Sequence, residues 1–132
     1  MRSFKKLFVL LVIVSTVWSC GQEEGVSFGN LTDGQEVTSP VLVKMNVSGM
    51  EVQPAGEVVK GTGHHHMIID GSFIKTGDPV PASKTHIHYG KGQLEAELEL
   101  APGEHTLTLQ FANGIHQSYG EAWSKTITIT VK

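Results

Sequence analysis

Beyond residue 20, apolar and polar positions alternate with a period of two, and few windows carry the 3.6-residue period of a helix. Val41, Val43, Met45 and Val47 interleave with Leu42, Lys44, Asn46 and Ser48. Leu94, Ala96, Leu98 and Leu100 interleave with Glu95, Glu97 and Glu99. Leu107, Leu109 and Phe111 interleave with Thr106, Thr108 and Gln110, and Ile127, Ile129 and Val131 with Thr126, Thr128 and Thr130. Neighbouring side chains on a strand point to opposite faces, so each run predicts a strand with one buried and one wet face.

Turn chemistry separates the runs. Asp33-Gly34, Asp70-Gly71, Pro102-Gly103 and Asn113-Gly114 are turn dipeptides. Leu94 to Leu100, the connection Ala101 to Glu104, and His105 to Phe111 read as a β-hairpin. Residues 49–63 and 75–84 are the longest irregular stretches. Together these features predict an all-β fold, an antiparallel immunoglobulin-like β-sandwich of about seven strands, with a small barrel as the alternative.

The start of the chain breaks this pattern. Arg2, Lys5 and Lys6 precede an unbroken apolar run from Leu7 to Val14, which Val17-Trp18 extends. The run is too short for a spanning helix and has the flanks of an export signal. It ends at Ser19-Cys20, which resembles the lipobox of bacterial lipoproteins. Three segments are therefore expected: a lipoprotein signal peptide over 1–19, a lipidated Cys and acidic tether over 20–24, and the β-sandwich domain over 25–132. The expected lipid attachment residue is Cys20, and the membrane is a partner through it. A plain secretory signal with a buried free Cys is the alternative. Gln22-Glu23-Glu24 resembles the surface-export signal of Bacteroidota lipoproteins, although a solvated tether would read the same way. The expected location is the outer membrane of a bacterial cell envelope, facing the periplasm or the outside.

Composition narrows the partners. Cys20 is the only cysteine, so the domain has no intrachain disulfide and must be stabilised by packing. Removing residues 1–19 takes three basic residues with it. Seven basic side chains then face 13 acidic ones, a net of −6. That balance argues against nucleic acid, which needs clustered Lys and Arg.

The candidate chemistry lies in His64-His65-His66 and His86-Ile87-His88. Imidazole is the commonest metal ligand and titrates near neutrality. Alternation puts His64 and His66 on one face and His65 with Met67 and Ile69 on the other, so His65 is expected to point inward. His86 and His88 share a face in the same way. Paired strands bring facing Cβ atoms to about 4.5–5.5 Å, so His64, His66, His86 and His88 could form a square of metal ligands. His116, in the loop after Asn113-Gly114, is a candidate fifth ligand. Imidazoles without thiolate suit Cu(II), Zn or Ni, and Met45, Met50 or Met67 could add a thioether for Cu(I). Binding would weaken below about pH 6. His105, in phase with Leu107 and Leu109, reads as structural. Gly90-Lys91-Gly92 lacks the context of a phosphate loop.

Several segments, in order, resemble domain-of-unknown-function family 4399, a family of exported bacterial proteins. They are Asp33 to Val41, Gly49 to Gly56, Gly63 to Asp70, His86 to Gln93, Pro102 to Leu107, and His116. The triple His together with His-x-His-aromatic-Gly-Lys-Gly-Gln carries the resemblance. Leu94 stands where a Thr is common. The resemblance implies a one-domain exported protein and no assigned activity. The residues predict an exported, lipid-anchored binding protein that holds a divalent transition metal, Cu or Zn, through a histidine cluster. The alternative is a surface interaction or adhesion module with structural histidines. A metalloenzyme is a third reading, without an acid beside the cluster other than Asp70.

Overall fold

The computed structural model describes residues 13–16 and 21–132. Cys20 and the expected signal segment, apart from residues 13–16, lie outside the described residues. Nine strands follow in chain order. They are β1 (Gly25–Phe28), β2 (Gln35–Val37), β3 (Val41–Ser48), β4 (Glu51–Val52), β5 (Thr62–Ile69), β6 (His86–His88), β7 (Glu95–Leu98), β8 (Gly103–Ala112) and β9 (Ser124–Val131). A 3-10 turn at Glu121–Trp123 leads into β9. Among the described residues, no helix is long and apolar enough to cross a membrane.

The strands form two sheets, one in the order β1-β3-β7 and one in the order β2-β9-β8-β5-β4, with β6 also paired to β5. The all-β sandwich expected from the alternation is the observed architecture. Its pairings are antiparallel apart from two short ones, β2 with β9 and β4 with β5. β4 has two residues and β2 three, too few for a period-two signal.

The core lies between the sheets. Val41, Val43 and Met45 from one meet Met67, Leu107, Leu109, Phe111, Ile127 and Ile129 from the other. In β3 the intervening Leu42, Lys44 and Asn46 are exposed, as alternation requires.

Two expectations need correction. First, Leu94–Leu100 and His105–Phe111 do not form a hairpin. β7 pairs with β3, whereas β8 pairs with β5 and β9. The connection crosses from one sheet to the other. A hairpin and a crossing leave the same alternation, because Leu98 and Leu107 face one core in both cases.

Second, the polar face of β8 is not wet. Thr108 and Gln110 are fully buried, and all eight residues of β5 are buried. Two irregular segments, 74–81 and 113–120, cover the outer face of the larger sheet. They are tied to each other: the Gly77 N–H donates to the Ser118 carbonyl at 2.9 Å, and the Val80 N–H to the His116 carbonyl at 2.8 Å.

Gln110 fastens both segments to the sheet. Its Oε1 accepts from the Ile74 N–H at 2.9 Å, and its Nε2 donates to the Gly120 carbonyl at 3.0 Å. A buried amide with these partners satisfies backbone groups that no strand could reach.

Candidate metal centre

The site forms on the covered outer face of β5. His64 and His66 point away from the core and His65 points into it, as the alternation predicts. In the ladders, His66 lies opposite His88 on β6 and opposite Gln110 on β8, while His64 lies opposite Ala112. All three histidines of β5 are fully buried.

The expected square is displaced by one pair of residues. It required both His-x-His segments to sit level. Instead His66 faces His88, and His86 faces Ile68. β6 ends at His88, so it places no side chain opposite His64. His86 turns to its own loop, where Nδ1 lies 3.1 Å from both Ser83 Oγ and Thr85 Oγ1. It therefore stands apart from the cluster.

His116 takes the place beside His64. It sits at φ 67°, a left-handed conformation uncommon outside glycine. Asn113 builds the turn that holds it there. Asn113 Oδ1 accepts from the Ile115 N–H at 3.1 Å and the Gln117 N–H at 2.9 Å. Asn113 Nδ2 donates to Gln117 Oε1 at 3.0 Å. Gly114 permits a close approach at the same turn, since a Cβ there would clash with the Glu57 carbonyl oxygen.

Three ring nitrogens converge. His116 Nδ1 lies 3.0 Å from His64 Nε2 and 3.3 Å from His66 Nε2. Ligand atoms from His64, His66 and His116 all fall within 4.8 Å of one another, the group among the described residues that could hold a metal. A neutral imidazole nitrogen carries either one proton or one lone pair. His116 Nδ1 therefore cannot make a full hydrogen bond to both neighbours. One cation can use all three lone pairs at once. With metal–nitrogen bonds of about 2.0–2.1 Å, ligand nitrogens lie about 3.3–3.4 Å apart in a tetrahedron and about 2.9 Å apart at right angles. The two observed separations match those edges.

His88 completes the wall. Its ring stacks on His116 at 4.5 Å and meets His66 edge-on at 4.5 Å. Its Nε2 lies 2.9 Å from the Pro81 carbonyl, which can only accept, so Nε2–H donates there. His88 is half-buried beside the three-nitrogen group and is not one of its members.

Burial and mutual repulsion keep the cluster neutral. Burial, then the His116 and His88 rings, lower His64 from 6.5 to about 4. Burial and the three neighbouring imidazoles lower His66 to about 2, against a smaller raising effect of the Gln110 backbone. Burial, then His88, also lowers His116. Neutral imidazoles are the ligating form. Proton competition therefore sets in below the pH 6 expected from ordinary histidines.

Among the described residues, no methionine joins the site. Met45 and Met67 belong to the core between the sheets, and Met50 packs against that core. The donor set is nitrogen without sulfur, which disfavours Cu(I).

The other histidines are structural in different ways. His65 packs against Phe111 at 5.1 Å, and neither ring nitrogen has a hydrogen-bond partner. Burial lowers it to about 4. His105 ties the turn after β5 to the segment before β8, with Nδ1 2.9 Å from Asp70 Oδ2 and Nε2 2.7 Å from the Ala101 carbonyl. Both its nitrogens face acceptors, and the Asp70 carboxylate first of all raises its pKa.

Gln110 and Asn113 escaped sequence reasoning. Gln110 looked like one more outward position of an alternating strand. Asn113-Gly114 looked like an ordinary turn.

The profile of the family described as Domain of unknown function (DUF4399) matches residues 43–132. No curated protein and no solved structure matches the chain. The match runs from β3 to the last residue and takes in each histidine of the cluster. The chain therefore belongs to the DUF4399 family, to which the His-rich segments already pointed.

Proposed function

We propose that this protein is a lipid-anchored metal-binding domain of the bacterial cell envelope. It holds one divalent transition metal, Zn(II) or Cu(II), through His64 Nε2, His66 Nε2 and His116 Nδ1. One observation carries the reading: the His116 nitrogen lies 3.0 and 3.3 Å from two others, and a shared cation explains both separations. Three protein ligands leave at least one position open to water or a small ligand. The role is binding and handling of the metal in the envelope, with export and attachment at Cys20 inferred from the first 20 residues.

Calorimetry on the tag-free mature chain tests the site. About one equivalent of Zn(II) or Cu(II) should bind, and His64→Gln with His66→Gln should abolish the heat. No heat from the wild-type protein with either ion removes the proposal. Cys20→Ser should move the protein from the membrane fraction to the soluble exported one, and continued membrane association would remove the anchor.

A further inference from the structure

The exposed apolar side chains are not spread evenly over the sandwich. Within residues 21–132 the large ones are Leu42, Val58, Val59, Leu94 and Ile115, each between 41% and 57% exposed. Leu42 lies near the start of β3, opposite Glu97, at the other end of the sandwich. The other four lie at one end.

The ladders fix which end. β5 begins there at Thr62, β8 finishes there at Ala112, and β9 starts there at Ser124. Val58 and Val59 lie in the loop entering β5. Ile115 lies in the loop leaving β8. These loops touch, with the Gly56 N–H donating to the Gly114 carbonyl at 2.8 Å. Leu94 precedes β7 at the same end, where its carbonyl accepts from the Met45 N–H at 2.8 Å.

The chain also enters the domain here. Gly25 pairs with Ser48, the last residue of β3. Gln22, Glu23 and Glu24 line one cavity with Leu94 and Ala122. Five residues, Cys20 to Glu24, span at most about 18 Å. β8 alone, at ten residues, is about 33 Å long. A lipid on Cys20 therefore holds this end near the bilayer and the far end away from it.

Charge does not separate the two ends but narrows the kind of surface. The far end presents Glu36, Asp70, Glu99 and Glu104 together with Lys84 and Lys132, all exposed, with Lys132 Nζ 2.7 Å from Glu36 Oε2, and Leu42 is its one exposed large apolar side chain among the described residues. At the near end Glu51, Glu57, Glu95 and Glu121 are matched in number by Lys44, Lys60, Lys91 and Lys125, with Lys44 opposite Glu95. Glu23 and Glu24 make the near end mildly acidic, which favours a zwitterionic surface over an anionic one.

We infer that this end of the sandwich seats on the lipid surface that anchors the chain, with Val58, Val59, Leu94 and Ile115 making the contact. The inference rests on the lipid attachment proposed above. It places the His64, His66 and His116 group, which lies toward the same end, next to the bilayer rather than out in solvent.

The test uses the full lipidated protein in phosphatidylcholine vesicles, with a nitroxide at Val58→Cys or at Glu104→Cys. Accessibility to oxygen and to a chromium oxalate complex reports immersion, and avoids nickel, which the histidines would bind. The oxygen-to-chromium ratio should be severalfold higher at 58 than at 104. Adding Val59→Asp and Ile115→Asp should bring the ratio at 58 down to that at 104, which shows that the protein surface and not the label makes the contact. Equal aqueous ratios at 58 and 104 in protein that remains on the vesicles would overturn the inference and leave the anchor intact. Failure of the wild-type chain to carry lipid would overturn both.

Discussion

Acid should unfold the metal-free domain, and the size of the effect follows from three buried imidazoles. The folded pKa values of His64 and His65 are lowered to about 4 and that of His66 to about 2, against 6.5 for an ordinary histidine. Below pH 6.5 the unfolded chain binds protons that the folded chain refuses, so stability falls as pH falls. Each group loses about 1.4 kcal/mol per pH unit across its window. From 6.5 down to 4 that is about 3 kcal/mol per histidine and about 9 kcal/mol for the three. A domain of this size has about 5–15 kcal/mol in total.

His105 works in the other direction. Its pKa is raised, chiefly by Asp70, so its contribution is fully present in acid and fades as pH rises through the folded value. Asp70 is half exposed, so solvent screening holds that pair to less than about 1 kcal/mol. It cannot offset the others. The assay is urea unfolding with a chelator present, followed by Trp123 fluorescence, in steps from about pH 7 to about pH 4. Stability should decline steadily below about pH 6.5, and the fold should be lost before about pH 4. His65→Leu should remove about one third of the decline, because His65 lies outside the metal group. It should also stabilise the domain near pH 7 by about 1–2 kcal/mol, since both ring nitrogens are buried without a partner. A flat profile between about pH 7 and about pH 4.5, or a His65→Leu profile as steep as wild type, would refute the reasoning.

Other outcomes follow from single contacts. Gln110→Leu should lower stability by about 2–4 kcal/mol in urea unfolding, since the Ile74 N–H and the Gly120 carbonyl lose a buried partner. His116→Gln should weaken metal binding far more than His86→Gln in calorimetry, because His86 faces Ser83 and Thr85 instead of the cluster. Asn113→Ala should lower metal affinity about 10–100-fold while the far-ultraviolet spectrum stays β, because it frees the turn that aims His116. Wild-type affinity at about pH 5.5 should stay within about tenfold of its neutral value if a loaded site resists protons as the lowered pKa values require.

The strands were legible because period-two alternation is local. Val41 to Val47 and Ile127 to Val131 each carry enough turns of the pattern to fix both strand and face. The same pattern placed His65 inward and His64 with His66 outward, and the structure keeps that division. What alternation cannot supply is partnership. Whether Leu94–Leu100 folds back on His105–Phe111 or crosses to another sheet depends on contacts with β3 and β5, which lie elsewhere in the chain.

The histidine site shows the same limit at closer range. Two His-x-His segments invite a square, and a square requires the strands to pair level. Register is set by everything each strand touches, and here it places His88 against His66 and His86 against Ile68. Shifting a ladder by two residues keeps every side chain on its expected face, so no hydrophobic penalty reveals the shift in sequence. The vacancy beside His64 is filled from a loop 52 residues away in the chain. His116 can reach it because Asn113 and a left-handed backbone turn its ring toward the sheet. That geometry also explains why Thr108 and Gln110 look like solvent positions and are not. A polar sheet face under a tied-down loop is where polar ligands can be held dry, and the triple His lies on that face.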